Sequence, residues 1–282
     1  MRTWLIGQVV LFTMLGIAGR TPARTIVFDD FSDLSSLTLN GTAAKTTTTD
    51  GAVLRLARAL GNQSGSAFST QTINGATFST YFRFRISNPG GVPWDDNPDP
   101  GADGLVFVSQ PVSASLGGAG HAIGYGGISP SVGVEFDTWH NSWNHDPDSN
   151  HLGIDLNGIV DHDLVGPPPP VSVLPRFDDA NIWHAWVDYD GTTLEVRANQ
   201  SGTRPASPLL TRDIDIPSLL GATEVYVGFT AGTGNNWGDH DIVYWEYRDE
   251  FNPIPEPSTL VLLAVGAVCL TVSARRRCES IR

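Results

Sequence analysis

Alternation of apolar and polar positions dominates the middle of the chain. Thr77 to Ile86 (TFSTYFRFRI) places an aromatic or aliphatic residue at nearly every second position, the period of a strand with one buried face. Trp183 to Asn199 (WHAWVDYDGTTLEVRAN) carries two such runs around Asp190-Gly191, a favoured tight-turn pair, and reads as a β-hairpin. TEVYVGFTA from Thr223 and DIVYWEY from Asp241 repeat the pattern. About a dozen such runs are separated by Gly, Pro, Asn and Asp, and none has the apolar period of a helix of globular length. No fixed-length repeat recurs. Many short strands with turn-rich gaps predict an all-β sandwich or jelly roll of antiparallel sheets. Gly166 to Pro170 (GPPPP) cannot donate to a strand ladder and reads as a stiff surface connection.

Both ends break the pattern. Arg2 precedes an apolar run from Leu5 to Ala18, with small residues near Ala18 and Ala23, as in an export signal, so residues 1–23 are set apart from the fold. At the other end, a proline-rich break at Pro253 leads to an uncharged run from Thr259 to Ala274 and then to Arg275, Arg276 and Arg277. That order reads as a short transmembrane segment with its basic end kept in the cytoplasm. Pro255-Glu256-Pro257, the apolar run and the arginine cluster resemble the PEP-CTERM sorting signal of exported bacterial proteins. The resemblance implies recognition and cleavage of the tail by an exosortase-type transpeptidase, and a final place in the outer envelope, at the cell surface or outside the cell. The sandwich is thereby expected over 24–252 and the sorting tail over 253–282, with membrane contact only through the tail.

Charge narrows the class. The formal net charge of -13 argues against nucleic acid, which requires a basic face. Cys269 and Cys278 are the two cysteines, and both lie in the tail, so the sandwich is expected to stand on packing and metal rather than disulfides. The acidic excess is uneven. No Lys or Arg stands between Arg85 and Arg176, while acids accumulate from Asp95 to Asp163. Uncompensated carboxylates repel one another, and bound divalent cations relieve this better than solvent does.

The acids and imidazoles concentrate in Val134 to Asp155, VEFDTWHNSWNHDPDSNHLGID. In the strand that opens it, Val134 and Phe136 point one way and Glu135 and Asp137 the other. The loop then returns Asn141, Asp146 and His151, and His151 opens the next strand. Oxygen donors from Asp137, Asn141, Asp146 and the Trp139 carbonyl suit Ca²⁺. Glu135, Asp137, Asp146 and His151 add one nitrogen and suit a transition ion such as Mn²⁺. Asp137 and Asp146 are placed to bridge both. Of the four histidines in this region only His151 has ligand spacing; His140, His145 and His162 are assigned to loop or solvent. Merely solvated acids are the bland alternative.

The segment resembles the metal loop of L-type (legume-type) lectins: Glu135, Asp137, Trp139, Asn141, Asp146-Pro147 and His151 ahead of LGID. ADGLVFVSQ from Ala102 resembles a second strand start of that family. VYVGFTAGTGNNWGDHDIVYWEY from Val225 resembles its last sugar-binding loop and following strand. The resemblance implies a concanavalin-like jelly roll with an additional short back sheet, and a calcium ion that orients Trp139 and Asn141. It also implies a cis peptide at Ala102-Asp103. Asp103 would accept hydrogen bonds from two sugar hydroxyls, Asn141 would donate one, and Trp139 would stack on the pyranose. Gly118 would offer its main-chain N–H, and the loop Gly232 to Trp237, with Gly234 and Asn235, would close one side. Asn236 and Trp237 either touch sugar or shape that loop. Trp183 and Trp186 are assigned to sandwich packing.

The implied function is metal-dependent binding of a glycan or exopolysaccharide without catalysis. Two alternatives differ in kind. A jelly-roll β-glucanase would carry Glu-x-Asp followed by a second Glu for retaining hydrolysis, and EFDTWH begins that way, but Trp139 and His140 stand where the second acid is required. No Gly-x-Ser-x-Gly is present either. A structural surface protein could keep the sandwich without binding sugar.

Overall fold

The alternating runs become strands. The computed structural model describes residues 23–93, 100–112, 115 and 117–255. The apolar N-terminal run and the tail from Glu256 onward lie outside the described residues. No helix among the described residues is long and apolar enough to cross a membrane.

Two eight-stranded antiparallel sheets form the sandwich. The first runs β14 (Leu210–Asp213), β13 (Thr193–Asn199), β12 (Trp183–Tyr189), β7 (Phe78–Gly90), β16 (Trp237–Arg248), β4 (Gly51–Ala57) and β3 (Ala44–Thr48), with β1 (Thr25–Phe28) also on β16. The second runs β11 (Val171–Ser172), β10 (His151–Leu156), β9 (Val132–Asp137), β8 (Gly104–Gln110), β15 (Glu224–Gly232), β5 (Ser64–Ser69) and β2 (Leu37–Gly41). The short β6 (Ile73–Asn74) attaches to the far end of β15. Among the described residues this pairing stands in place of a separate back sheet. Among the described residues helix is confined to α1 (His162–Val165), α2 (Ile216–Leu220) and two 3-10 turns.

The core lies between the sheets because alternate side chains turn inward. Phe82 and Phe84 of β7, Phe136 of β9, Phe229 of β15 and Trp245 of β16 are all fully buried there. Phe82 and Phe229 meet edge-on with centroids 4.9 Å apart, as do Phe229 and Trp245 at 5.0 Å, arrangements each worth about 0.5–1.5 kcal/mol beyond area burial. Trp183 belongs to this core. Trp186 faces outward instead, and packs with Tyr81 and Ile254 in a separate cluster.

The hairpin at Asp190-Gly191 shows how a turn sets register. Asp190 Oδ1 accepts from the backbone N–H groups of Thr192 and Thr193, each at 2.8 Å, and Gly191 takes φ +104°. Tyr189 then faces Leu194, and the alternation of β12 and β13 stays in phase. The proline run after α1 is partly exposed and leads into β11 at the sheet edge.

Three connections meet at one end of the second sheet. Gly104, which opens β8, pairs with Asp137 at the end of β9 and with Gly232 at the end of β15. The Ala102-Asp103 peptide just before it is cis. At Gly104 a Cβ would sit 2.3 Å from the Phe136 carbonyl oxygen, and φ is +136°. Only glycine permits this close approach.

Candidate functional site

On the outer face of the second sheet, β9 and β10 oppose His151 to Asp137 and Gly153 to Glu135. Phe136 and Leu152 go to the core, so Glu135, Asp137, His151 and Asp155 share the other face. The loop from 138 to 150 and helix α1 cover them, and all four are buried, as are Asp146 and His162. Gly153 matters to this packing: a Cβ there would lie 2.4 Å from Glu135 Oε1 and 2.9 Å from His162 Cε1. The glycine of the LGID segment leaves room for a carboxylate and an imidazole.

The ligand-type atoms converge. Glu135, His151 and His162 offer one donor atom each within 4.8 Å of one another, and so do Asp137, Asp146 and His151. His151 Nδ1 lies 3.1 Å from the Asp148 carbonyl oxygen. A carbonyl can only accept, so this bond places a proton on Nδ1 and turns Nε2 toward the cluster, the orientation in which imidazole binds a metal. The sequence pattern assigns His162 to loop or solvent, and the structure corrects this by burying it in the cluster. Its Nε2 stands 3.0 Å from Glu135 Oε1 and 3.5 Å from Asp146 Oδ1. It follows His151 by 11 positions in a different element, so no local spacing marks it.

The electrostatics fit a cation. Burial raises Asp137 well above the usual carboxylate range, and the charges of Asp146 and Glu135 add to this. Asp155 is raised in the same way, by burial and then by Glu135. For Glu135 burial opposes the charge, but the adjoining His151 and His162 outweigh it and hold the carboxyl well below its ordinary value. Burial lowers His162, but Asp146 and Glu135 beside it raise it to about 10. Asn141 Oδ1 is buried with no hydrogen-bond partner among the described residues, and the buried Asp155 oxygens have no nitrogen donor within hydrogen-bond reach there. Buried polar atoms left without partners are costly, and a divalent ion satisfies several such oxygens at once. The residues present therefore fit the pair of ions that the sequence pattern implies.

The loop itself is well tied. Asp146 Oδ2 accepts from Asn141 N at 2.6 Å, and Asp137 Oδ1 accepts from Trp139 N. Arg176 donates to the carbonyl oxygens of Thr138 and Ser149, and pairs with Asp178 at 2.8 Å. These bonds set Trp139 and Asn141 at the rim of a cavity of about 570 Å³.

Asp103, Trp139, Asn141, Gly234 and Asn235 line that cavity together. Asp103 is buried, its Oδ2 has no hydrogen-bond partner among the described residues, and burial raises its pKa to about 8 against a hydrogen bond from the Gly234 backbone. Gly118 does not line the cavity. Its N–H points to the Gly126 carbonyl at 3.4 Å, because residues 117–126 fold back on themselves through backbone bonds, and Ala119 and Gly120 reach the wall instead. Asn236 shapes the loop: its amide both accepts from Val92 N and donates to Val92 O. Trp237 packs on Gly90. Two wall residues carried no signal in the sequence pattern, His121 and Trp143. Trp143 is 62% exposed, and the two rings meet edge-on at 6.1 Å.

The Legume lectin domain family matches residues 24–261, and the PEP-CTERM protein-sorting motif matches 253–277. The chain is 30% identical to Lectin 1 of Medicago truncatula, over 86% of this chain and 87% of that protein. It is 32% identical to the Basic agglutinin of Psophocarpus tetragonolobus, over 67% of this chain and 76% of that protein. It also matches L-type lectin-domain containing receptor kinase VIII.1 of Arabidopsis thaliana at 31% identity, but spans 25% of that protein's length. The structure is similar to basic winged bean lectin solved with Tn-antigen, with a TM-score of 0.64 and 26% identity, covering 80% of this chain and 98% of that one. Winged bean acidic lectin complexed with methyl-alpha-D-galactose is similar at TM-score 0.65 and 25% identity, again over 80% of this chain and 98% of that one. With two antiparallel sheets, a cis peptide before Asp103 and the acid–imidazole cluster beneath the cavity, the chain belongs to the legume lectin domain family and carries a PEP-CTERM sorting motif.

Proposed function

We propose that this chain is an exported, metal-dependent carbohydrate-binding protein without catalytic activity, and that its cavity takes a sugar between Asp103, Asn141 and Trp139. The observation that carries this reading is Asp103: a buried carboxylate oxygen without a protein partner, at the wall of a cavity that also holds an indole and a primary amide. A pyranose offers adjacent hydroxyls to a carboxylate and an apolar C–H face to an aromatic ring. Asp103 accepts from two hydroxyls, the Asn141 Nδ2 donates to a third oxygen, and Trp139 stacks. Gly234 and Asn235 close the rim, and the backbone near Ala119 and Gly120 takes the place expected of Gly118. Trp143 and His121 extend the wall beyond one ring, which favours oligosaccharides.

Asp137, Asn141, Asp146 and the Trp139 carbonyl would hold Ca²⁺, and Glu135, Asp137, Asp146 and His151 a transition ion such as Mn²⁺. When bound, the ions supply fixed positive charge that neutralises the buried carboxylates and locks the loop. Asn141 then has a distinct task for each end of its amide, Oδ1 toward the cation and Nδ2 toward the sugar. Hydrolysis is disfavoured by placement: Asp137 points into the cluster under the loop, and no second glutamate accompanies it at Trp139 or His140.

The sorting motif supports export to the cell envelope, with processing by an exosortase-type transpeptidase. We read residues 1–23 as the export signal, 24–252 as the lectin domain and 253–282 as the sorting tail. Glycans or exopolysaccharide are the partners that this placement favours, held by many weak contacts acting together.

Printing the protein on a glycan array with Ca²⁺ and Mn²⁺, and again after chelation, tests the reading. Binding that chelation removes is the expected result, and galactosides are the first probes because a related lectin was solved with one. Release of reducing ends from β-glucan would instead show a hydrolase, and neither outcome would leave a structural role.

A further inference from the structure

Resting on the reading that the cluster holds metal, we propose that His162 is an additional ligand of the transition-ion site and turns that site toward a nitrogen-preferring ion, Zn²⁺ in the first place. Three donor atoms face a common centre, Glu135 Oε1 and the Nε2 atoms of His151 and His162, and Asp146 stands beside them. The Nε2 atoms of His151 and His162 are 3.4 Å apart. They lie 3.4 and 3.0 Å from Glu135 Oε1, and 3.7 and 3.5 Å from Asp146 Oδ1. Ligands about 2.0–2.2 Å from an ion stand roughly 3.0–3.5 Å from each other at octahedral or tetrahedral angles, so the spacing of Glu135, His151 and His162 suits a single ion.

The surroundings are built for the second imidazole. Gly153 leaves the space for its ring. Asp161 caps α1 by accepting from Asp163 N and so fixes the turn that carries His162. Behind the ring, Nδ1 faces the buried Asp155 Oδ1 at 3.9 Å, a charge contact rather than a hydrogen bond. A carboxylate behind a ligating imidazole orients it and raises its basicity. Two imidazoles and carboxylates suit Zn²⁺ better than Mn²⁺, which favours an oxygen-rich shell.

The full chain, stripped by chelation and reloaded, decides this. Co²⁺ serves as the spectroscopic probe, and Zn²⁺ against Mn²⁺ is measured by competition titration. Wild-type protein is expected to prefer Zn²⁺, and His162→Gln to lose about tenfold or more of that preference, with a changed Co²⁺ visible spectrum and unaltered Ca²⁺ stoichiometry. An identical Co²⁺ spectrum and identical Zn²⁺ affinity in His162→Gln and His162→Ala would overturn the assignment. Wild-type protein that takes up no Co²⁺, Zn²⁺ or Mn²⁺ at all would overturn the metal reading with it.

A second observation stands apart from the metal. Phe251, Asn252 and Pro253 are exposed, yet Ile254 is 1% exposed, packed on Tyr81 and Trp186 outside the sandwich. Asn252 N donates to Ser79 Oγ at 3.1 Å. The sorting motif begins at 253, so its first residues are part of the folded domain. We infer that Ile254 is a clip that holds the start of the motif on the outer face of the first sheet and shields it. The flanking prolines favour an extended backbone and have no N–H left unpaired. Glu246, Tyr81 and Trp186 form one row across β16, β7 and β12. Tyr244, beside that row, lies seven residues along β16 from Trp237, next to Asn236 at the cavity, or roughly 23 Å, so Ile254 sits far from the sugar-binding rim.

Limited chymotrypsin digestion of the full chain after Phe251 reads the clip directly. Ile254→Asp is expected to be cut there about tenfold faster than wild type, since cleavage follows the population of the open segment, while Ile254→Val keeps the wild-type rate. Equal rates for wild type and Ile254→Asp would sink the inference. Should the Asp variant also be cut within the sandwich, Ile254→Ala is compared instead under the same two outcomes.

Discussion

Asp137→Ala should abolish stabilisation of the folded protein by Ca²⁺ and the transition ion. A ligand that binds only the folded state at a thousand times its dissociation constant adds about 4 kcal/mol. For a domain of this size that corresponds to roughly 8–16 °C in the melting midpoint. The wild-type protein is expected to lose such an increment on chelation and to regain it when the ions return. Asp137 is the residue to change because it serves both proposed sites, faces His151 in register and holds the Trp139 N–H. Without ions its buried charge is opposed by Asp146 and Glu135. The metal-free variant should therefore melt within a few degrees of metal-free wild type, the relief of repulsion offsetting the lost hydrogen bond at about 1 kcal/mol. Scanning calorimetry of both proteins, with and without chelator, checks this, and a variant still raised by Ca²⁺ as much as wild type would refute the assignment.

Asp103→Ala should cost at least about 100-fold in affinity for whichever glycan the array identifies. Above about pH 8, where Asp103 is ionised despite its burial, hydrogen bonds to its charged carboxylate are worth about 1.5–3 kcal/mol each, and two of them exceed the 2.8 kcal/mol or so that a hundredfold change requires. The fold should tolerate the change. Asp103 holds its position through backbone bonds, N–H to Gly232 O and C=O from Thr138 N, which alanine keeps. The side-chain bond given up is the one from the Gly234 backbone, worth about 1 kcal/mol. Titration calorimetry with the glycan, alongside a melting curve in Ca²⁺, separates the effects. Undiminished affinity with an unchanged melting midpoint would place the sugar elsewhere in the molecule.

Much of the architecture was legible because strands advertise themselves locally. The β7 and β12–β13 alternations, the Asp190-Gly191 turn and the strand–loop–strand frame around Asp137 all follow from two-residue periodicity and turn chemistry. The acid–imidazole cluster was legible for the same reason: Glu135 and Asp137 share a face at spacing two, and Asn141, Asp146 and His151 return to them within one connection. Trp186 misleads at this level. Its alternation is that of any half-buried strand, and whether the outer face is wet depends on Ile254 crossing it some 70 positions later. Gly118 misleads through an irregular segment, where backbone bonds among glycines decide which N–H is free.

By itself, the order of residues determined that this chain forms many antiparallel strands, that carboxylates, an amide and imidazoles gather at one loop, and that its C-terminal end carries a sorting motif. Only the tertiary structure decided that His162 joins the cluster, that Asp103 meets Trp139 and Asn141 across one cavity, and that Trp143 and His121 widen it. The physical reason is range. Periodicity and turn preference act over a few bonds, whereas these contacts arise where separate strand ends converge, and burial there determines which polar atoms must find a partner.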